Sequence, residues 1–439
     1  MSTANFHAHT DRASAMAADV SDLVPRAGRL SVWIYLTWLT TYLVEGPLRG
    51  GLSAIGMPNV LYLRDLVAVA VIASAMVVPL TRGERPPPGL VLMSWLIAVH
   101  VCIGILLGGT VFQRLFGLKT FIPMLMTVAI FPAVEQHFRL FIKAMAVFFA
   151  ITVVGVLVNE VAGEMPWEGL SYETAFGSVQ TTKQWWMSGG VRRLPGFARA
   201  SFDAAMMIGL SGVMLMAAVR SVWLRLLIAC IGGAAIFLTT SKGMIVAYAV
   251  ATLWLVFANR SNTSFKLGRG IVVALLLITC LVPTIFMVVP VRENPADIPV
   301  LLTSLWDRFA WMWPAGYSLL PDGFGALTGA GPGGIGSAVG DGPIPSSADS
   351  IFVYYYVSFG LLGIGYLAFP ALALARGEGA AADPNRFVWA ALLIIAYGYG
   401  LSINMVEQTF FISVFGLLYG KAFAYVARSS RPVRQGVSA

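Results

Sequence analysis

Apolar stretches close to bilayer length follow one another along almost the whole chain, and no other feature constrains its fold as strongly. A bilayer core takes about 20 residues of helix. On that template twelve spans are expected, near 30–49, 60–80, 88–108, 118–135, 141–160, 201–219, 222–240, 243–258, 270–290, 351–373, 387–404 and 408–426. Lipid offers a backbone no hydrogen-bond partners, so each span must be helical. The composition agrees, because a chain of 439 residues that is 58% hydrophobic and only 11% charged has too little polar surface for a soluble domain. The expected fold class is an all-α polytopic membrane protein. It is expected to be a single transmembrane domain over residues 29–427 with longer loops at about 160–200 and 291–350.

The net charge of +8 is spread between the apolar spans, so it reads as membrane topology and anionic lipid rather than nucleic acid. Cys102, Cys230 and Cys280 each lie inside an apolar run, as small buried hydrophobes do, and suggest neither disulfides nor a metal site. Residues 1–28 and 428–439 are expected to be tails. The first has arginines ahead of the first apolar run and no cleavage-site pattern, which reads as a cytoplasmic segment rather than a signal peptide.

Twelve spans put both termini on one side. Arg82, Arg85, Arg139, Arg220, Arg225, Arg260, Arg269 and Arg376 then share that side, which the positive-inside rule makes cytoplasmic. The two long loops face outward. A second set of cations nevertheless lies at the outer ends of the spans, among them Arg49, Arg64, Arg193, Arg199, Lys242, Arg292 and Arg308. Loop charges balanced by nearby glutamates are one reading of them, and an anion-binding surface at the membrane interface is the other.

Three outer segments stand out. The first long loop ends in KQWWMSGGVRRLPGFARASFD, where arginines cluster beside a Pro-Gly turn and paired tryptophans just ahead of a span. The join between the seventh and eighth spans is TTSKG, with Lys242 either snorkelling at a helix end or turned toward a phosphate. The last long loop carries Asp307 and Arg308, the glycine-rich run Gly329 to Gly336, and Ser347-Ala348-Asp349-Ser350 ahead of the tenth span. The glycines follow no strand and open no helix of a βαβ unit, so a nucleotide loop is not indicated. A flexible loop admitting a sugar or lipid to the backbone, or a plain connector, is expected instead.

In order and topology these segments resemble the O-antigen polymerase and ligase superfamily over roughly residues 190–365. Arg193-Leu194-Pro195-Gly196-Phe197 is similar to that superfamily's arginine-containing entry. Thr240-Ser241-Lys242-Gly243 resembles its Ser-Arg-Gly turn with lysine in place of arginine. The glycine-rich loop followed by Asp349 and Phe359-Gly360-Leu361-Leu362-Gly363 resembles its last outer loop and Gly-Leu-x-Gly helix. The ligase branch has a histidine in that loop where Asp349 stands, so the resemblance favours a Wzy-type or xanthan-like exopolysaccharide repeat-unit polymerase over a ligase.

The resemblance implies transfer of a glycan from undecaprenyl pyrophosphate to a second lipid-linked repeat unit at the periplasmic face of the bacterial inner membrane. It implies no cofactor and no metal, and as partners a flippase and a chain-length regulator. Asp349 is the expected base, although its place before a helical run also suits an N-cap. Arg193, Arg199, Arg292, Arg308 and Lys242 are the expected pyrophosphate ligands, guanidinium forks being the better match to phosphate oxygens. Tyr354, at the start of the tenth span, suits either sugar stacking or an interfacial aromatic belt. Glu45 with Arg49, Arg64 with Asp65, and an isolated Glu407 are ionisable groups near or in lipid that must pair or line a cavity. A transporter or lipid flippase is the rival reading, since span count alone fits it. The lack of a visible repeat and the concentration of long loops in the later chain count against it.

Overall fold

The computed structural model describes residues 28–174, 177–182, 191–289, 298–299, 302–339, 349–376, 380 and 382–429. The expected tails apart from Gly28, Arg428 and Ser429, together with Trp185 and Trp186, Ser347 and Ala348, and the expected phosphate ligand Arg292, lie outside these residues.

Among the described residues the chain is a helical membrane protein with one small hairpin. In order the helices are α1 (28–43), α2 (Glu45–Ala54), α3 (Leu63–Thr81), α4 (Pro88–Leu106), α5 (Val111–Gln136) and α6 (Phe138–Ala162). The hairpin pairs β1 (Ser171–Thr174) antiparallel with β2 (Gly177–Gln180), Ser171 opposite Gln180. Then follow α7 (Ser201–Ala218), α8 (Val222–Leu238), α9 (Lys242–Phe257) and α10 (Asn262–Val288). Short α11 (Thr303–Asp307) and α12 (Trp313–Tyr317) flank a π-helical turn at Arg308–Met312, and α13 (Gly325–Thr328) precedes the glycine run. The chain closes with α14 (Ile351–Phe359), α15 (Leu361–Arg376), α16 (Arg386–Gly400) and α17 (Thr409–Ser429).

Every one of the twelve expected apolar stretches falls on helix. Seven helices among the described residues are long and apolar enough to cross a membrane, and four more, α8, α9, α15 and α16, are apolar but shorter. The first and tenth stretches are interrupted, at Val44 and at Gly360. Burial sorts the helices into layers. The apolar window of α7 is 83% buried and that of α3 only 11%, so α7 is central and α3 presents its side chains to lipid. Small residues and methionines let α7 pack on all sides, where α6, α8, α9 and α16 surround it.

The glycine run is neither a flexible loop nor a plain connector. Residues 329–336 are all buried, and the chain re-enters the bundle between α4, α5 and the α14–α15 break. The break leaves helical carbonyls without their usual partners, and the run supplies them: Ala330 N donates to Val357 O at 2.6 Å and Gly331 N to Ser358 O at 3.0 Å. Irregular backbone survives at membrane depth only when protein satisfies it in this way. Gly333 shows why glycine is required, since its φ is +79° and a Cβ there would collide with the carbonyl of Gln113. Arg114, itself buried, holds the run from the other side through Gly331 O at 3.4 Å.

Candidate functional site

The site is assembled on the end of α16. Tyr399 and Ser402 there receive two other segments. In the turn between α8 and α9, Ser241 Oγ shares a 2.8 Å hydrogen bond with the Tyr399 hydroxyl, and the absence of a side chain at Gly243 lets α9 seat against Ser402. Lys242 projects from this turn within electrostatic reach of Arg193 and Arg308. From the other direction Arg308 Nε donates to Ser402 O at 2.8 Å.

Arg308 opens the π-helical turn. Phe309 anchors that turn on α10, stacked on Phe286 at 4.0 Å between ring centroids and 5° between planes. The wider turn brings residues five apart onto one face. Arg308 Nη2 therefore donates to Asp349 Oδ2 at 2.9 Å while Trp313 Nε1 reaches the Asp349 carbonyl at 3.5 Å. A further Arg308 hydrogen bond runs to the Ser304 carbonyl. Arg308 is thus fixed by three groups, Ser402, Ser304 and Asp349, before any ligand arrives.

Asp349 does not act as a cap. Ser350 is the N-cap of α14, with no side-chain capping bond, and the Asp349 carboxylate turns toward Arg308. Its backbone is left-handed, φ +38°, a conformation uncommon for a non-glycine residue and found where surrounding contacts enforce it. Burial pushes its carboxyl above the usual aspartate range, against the opposing pull of Arg308 and, more weakly, Arg193.

Arg193 completes the cluster. The Leu-Pro-Gly-Phe that follows it is pinned to the bundle: Leu194 is buried, Gly196 N donates to Asn159 Oδ1 at 3.1 Å, and Phe197 O accepts from Gly46 N at 2.9 Å. Burial and the neighbouring Arg308 push the Arg193 guanidinium below its ordinary value, and its Nε is buried without a hydrogen-bond partner. The adjacent Arg192 has another fate, ion-paired with the buried Glu168. Three segments far apart in sequence therefore bring Arg193, Lys242, Arg308 and Asp349 together, three cations to one carboxylate.

The other residues singled out in the sequence form a second cluster. Glu45 Oε1 accepts from Arg49 Nε at 2.7 Å and from Arg64 Nη2 at 3.1 Å, and Arg199 acts on the same carboxylate. Arg64 is not paired with Asp65, which instead meets Lys119 at 2.9 Å. Arg199 therefore belongs with Glu45 and Asp203 rather than with Arg193. Glu407 is not isolated either; it accepts from Ser337 N at 2.7 Å and Asn404 Nδ2 at 3.2 Å, latching the end of the glycine run. Tyr354 is fully buried beside Phe121, which fits neither sugar stacking nor an interfacial belt. Tyr399 and Ser402 are marked by no sequence signal, because an apolar helix end carries no motif that identifies it as a platform.

Among the described residues no group of three or more His, Cys, Asp or Glu side chains is placed to hold a metal ion. Compared with known proteins, the chain matches no family model and no curated sequence.

Proposed function

We propose that this protein is a polysaccharide polymerase of the inner membrane, extending a lipid-linked glycan at the outer face with both termini in the cytoplasm. What supports the reading is the convergence of Arg193, Lys242 and Arg308 on Asp349. Resemblance to the O-antigen polymerase and ligase superfamily singles out three of these positions, Arg193, Lys242 and Asp349, from separate stretches of sequence, and Arg308 is a candidate for its guanidinium chemistry. A site with two more cations than carboxylates suits a multiply charged anion, and pyrophosphate is the anion a lipid-linked glycan donor carries.

In this mechanism Asp349 accepts the proton of the acceptor sugar hydroxyl as its oxygen bonds to the anomeric carbon of the donor. The bond between that carbon and the pyrophosphate oxygen breaks, and its electron pair leaves with prenyl pyrophosphate. Arg193, Lys242 and Arg308 stabilise the charge gathered there, a contribution that is greatest at the transition state. Arg308 also orients the carboxylate it bonds to. The proton then passes from Asp349 to solvent.

The test is reconstitution of the purified protein with synthetic undecaprenyl-pyrophosphate repeat units. A ladder of lengthened glycans is expected. Transfer only to a lipid core or protein acceptor would make it a ligase, and movement of substrate across the bilayer without a ladder would make it a transporter.

A further inference from the structure

Like α3, α10 turns most of its surface outward, only 22% of its apolar window being buried. In its first half Gly270, Val273, Ala274 and Leu277 recur at helical spacing and form one stripe. The stripe is hollow where its residues are small, and a Cβ at Gly270 would meet nothing within 4 Å. With Ala375 of α15 these residues line an open trough of about 430 Å³, whose polar end is Lys266 and Arg269, one turn earlier on α10. From Lys266 to Leu277 the trough runs about 17 Å at 1.5 Å per residue. That is close to the depth of one leaflet, roughly 15 Å of hydrocarbon. Its polar end lies about 25 Å along α10 from Phe286, on which the Arg308 turn is stacked, and so at the other end of the bundle from the Asp349 cluster.

The trough's polar end carries positive charge that no described carboxylate answers. Arg269 Nη2 donates to the Ala375 carbonyl, which ties α10 to the last turn of α15 without neutralising the guanidinium. Lys266 is exposed, and among the described residues neither cation is ion-paired. Carboxylates do lie at this end of the bundle, but they are engaged elsewhere. Asp383 is buried against Lys421 and Tyr425, and Glu135 meets Lys421 and Arg428. Arg376, which follows Ala375 in the chain and is exposed, adds a third cation to the same edge.

We propose that this trough binds an anionic phospholipid of the membrane, with one acyl chain along Gly270, Ala274 and Leu277 and the headgroup phosphate on Lys266 and Arg269. Basic pockets between membrane helices select anionic headgroups in this way. A zwitterionic lipid would bring its own cation to an edge that already has three. A long polyprenyl chain would overrun a trough one leaflet deep. The occupant is therefore a lipid of the surrounding bilayer rather than a glycan carrier, and it bridges α10 and α15 where Arg269 already links them.

The test measures phosphatidylglycerol bound to the delipidated full-length protein in detergent by native mass spectrometry, with phosphatidylcholine as the comparison. Phosphatidylglycerol is expected to be held about tenfold or more tightly than phosphatidylcholine. Gly270→Leu, which fills the trough from its open side, is expected to abolish that preference; Ala274→Leu is the second variant, should the first fail to fold. Lys266→Gln should weaken phosphatidylglycerol about fivefold, the worth of one basic residue beside an anionic lipid. Equal retention of the two lipids overturns the site, as does unchanged binding in both trough variants or full displacement by inorganic phosphate. Tighter binding of undecaprenyl phosphate that the trough variants also abolish would overturn the phospholipid assignment. Retention of phosphatidylglycerol only in Glu378→Gln, at a carboxylate outside the described residues, would mean that the chain neutralises its own cations, and overturns it too. None of these readings depends on polymer formation.

Discussion

Two charged clusters sit at opposite ends of α16, about 22 Å apart at 1.5 Å per residue, and they are balanced differently. Beyond the start of the helix, Lys421 Nζ meets Asp383 at 2.6 Å and Glu135 at 2.5 Å, while Arg428 reaches Glu135 at 3.1 Å. Two cations face two carboxylates, Tyr425 donates to Asp383 at 2.8 Å, and the Lys421 ammonium lies 4.8 Å from the centre of the Tyr425 ring. At the far end Arg308 pairs with Asp349, with Arg193 and Lys242 close enough to act on the cluster, and Arg193 keeps a buried nitrogen with no hydrogen-bond partner among the described residues. A cluster whose charges close on themselves contributes to structure. One left positive, at a cost in desolvation, holds something back for a ligand.

That contrast is broken most directly at Asp349. Asp349→Asn is expected to lower polymer formation by about 10² to 10⁴, the usual worth of a general base, while thermal unfolding moves little. Equal loss of activity and fold would make Asp349 a structural residue like Asp383.

Lys421→Met tests the other end. It strands Asp383 in a site where both partners are 3% exposed, so a loss of about 3–5 kcal/mol of stability is expected from chemical denaturation. The molecules that remain folded should polymerise at the wild-type rate. Gly333→Ala, in the buried glycine run, should cost about 1–3 kcal/mol from left-handed backbone alone, with a further penalty from the clash at Gln113, and no shift in the pH profile.

The pH profile itself sharpens the comparison. As the proposed base Asp349 would act in its ionised form, and burial raises its pKa. Half-ionisation is therefore reached at higher pH than for a free aspartate, and the acid limb of activity should lie above the ordinary aspartate range. Measured on the reconstituted enzyme, that limb should vanish from the residual activity of Asp349→Asn. The smallest effect is expected at Lys242. Lys242→Arg keeps the charge and adds a fork suited to phosphate, so a change in rate of less than about tenfold is expected.

Much of this was legible along the chain. Helix placement was, because an apolar run in lipid has no other way to satisfy its backbone, and the positions of Asp349, Arg193, Lys242 and Arg308 were, because charge in so apolar a chain is conspicuous. Partnerships were not. Arg64 pairs with Glu45 rather than its neighbour Asp65, and Arg199, six residues from Arg193, faces a different cluster, since the turn between them is pinned to two helices.

The sequence by itself determined a helical membrane protein and which of its few charges lie near helix ends, both consequences of composition and spacing. Only the tertiary structure decided that the glycine run is buried packing, that Asp349 answers to Arg308 rather than to its own helix, and that an apolar helix end carries the site. Those outcomes depend on which distant groups remain unsatisfied when helices break and pack, and no local pattern encodes that.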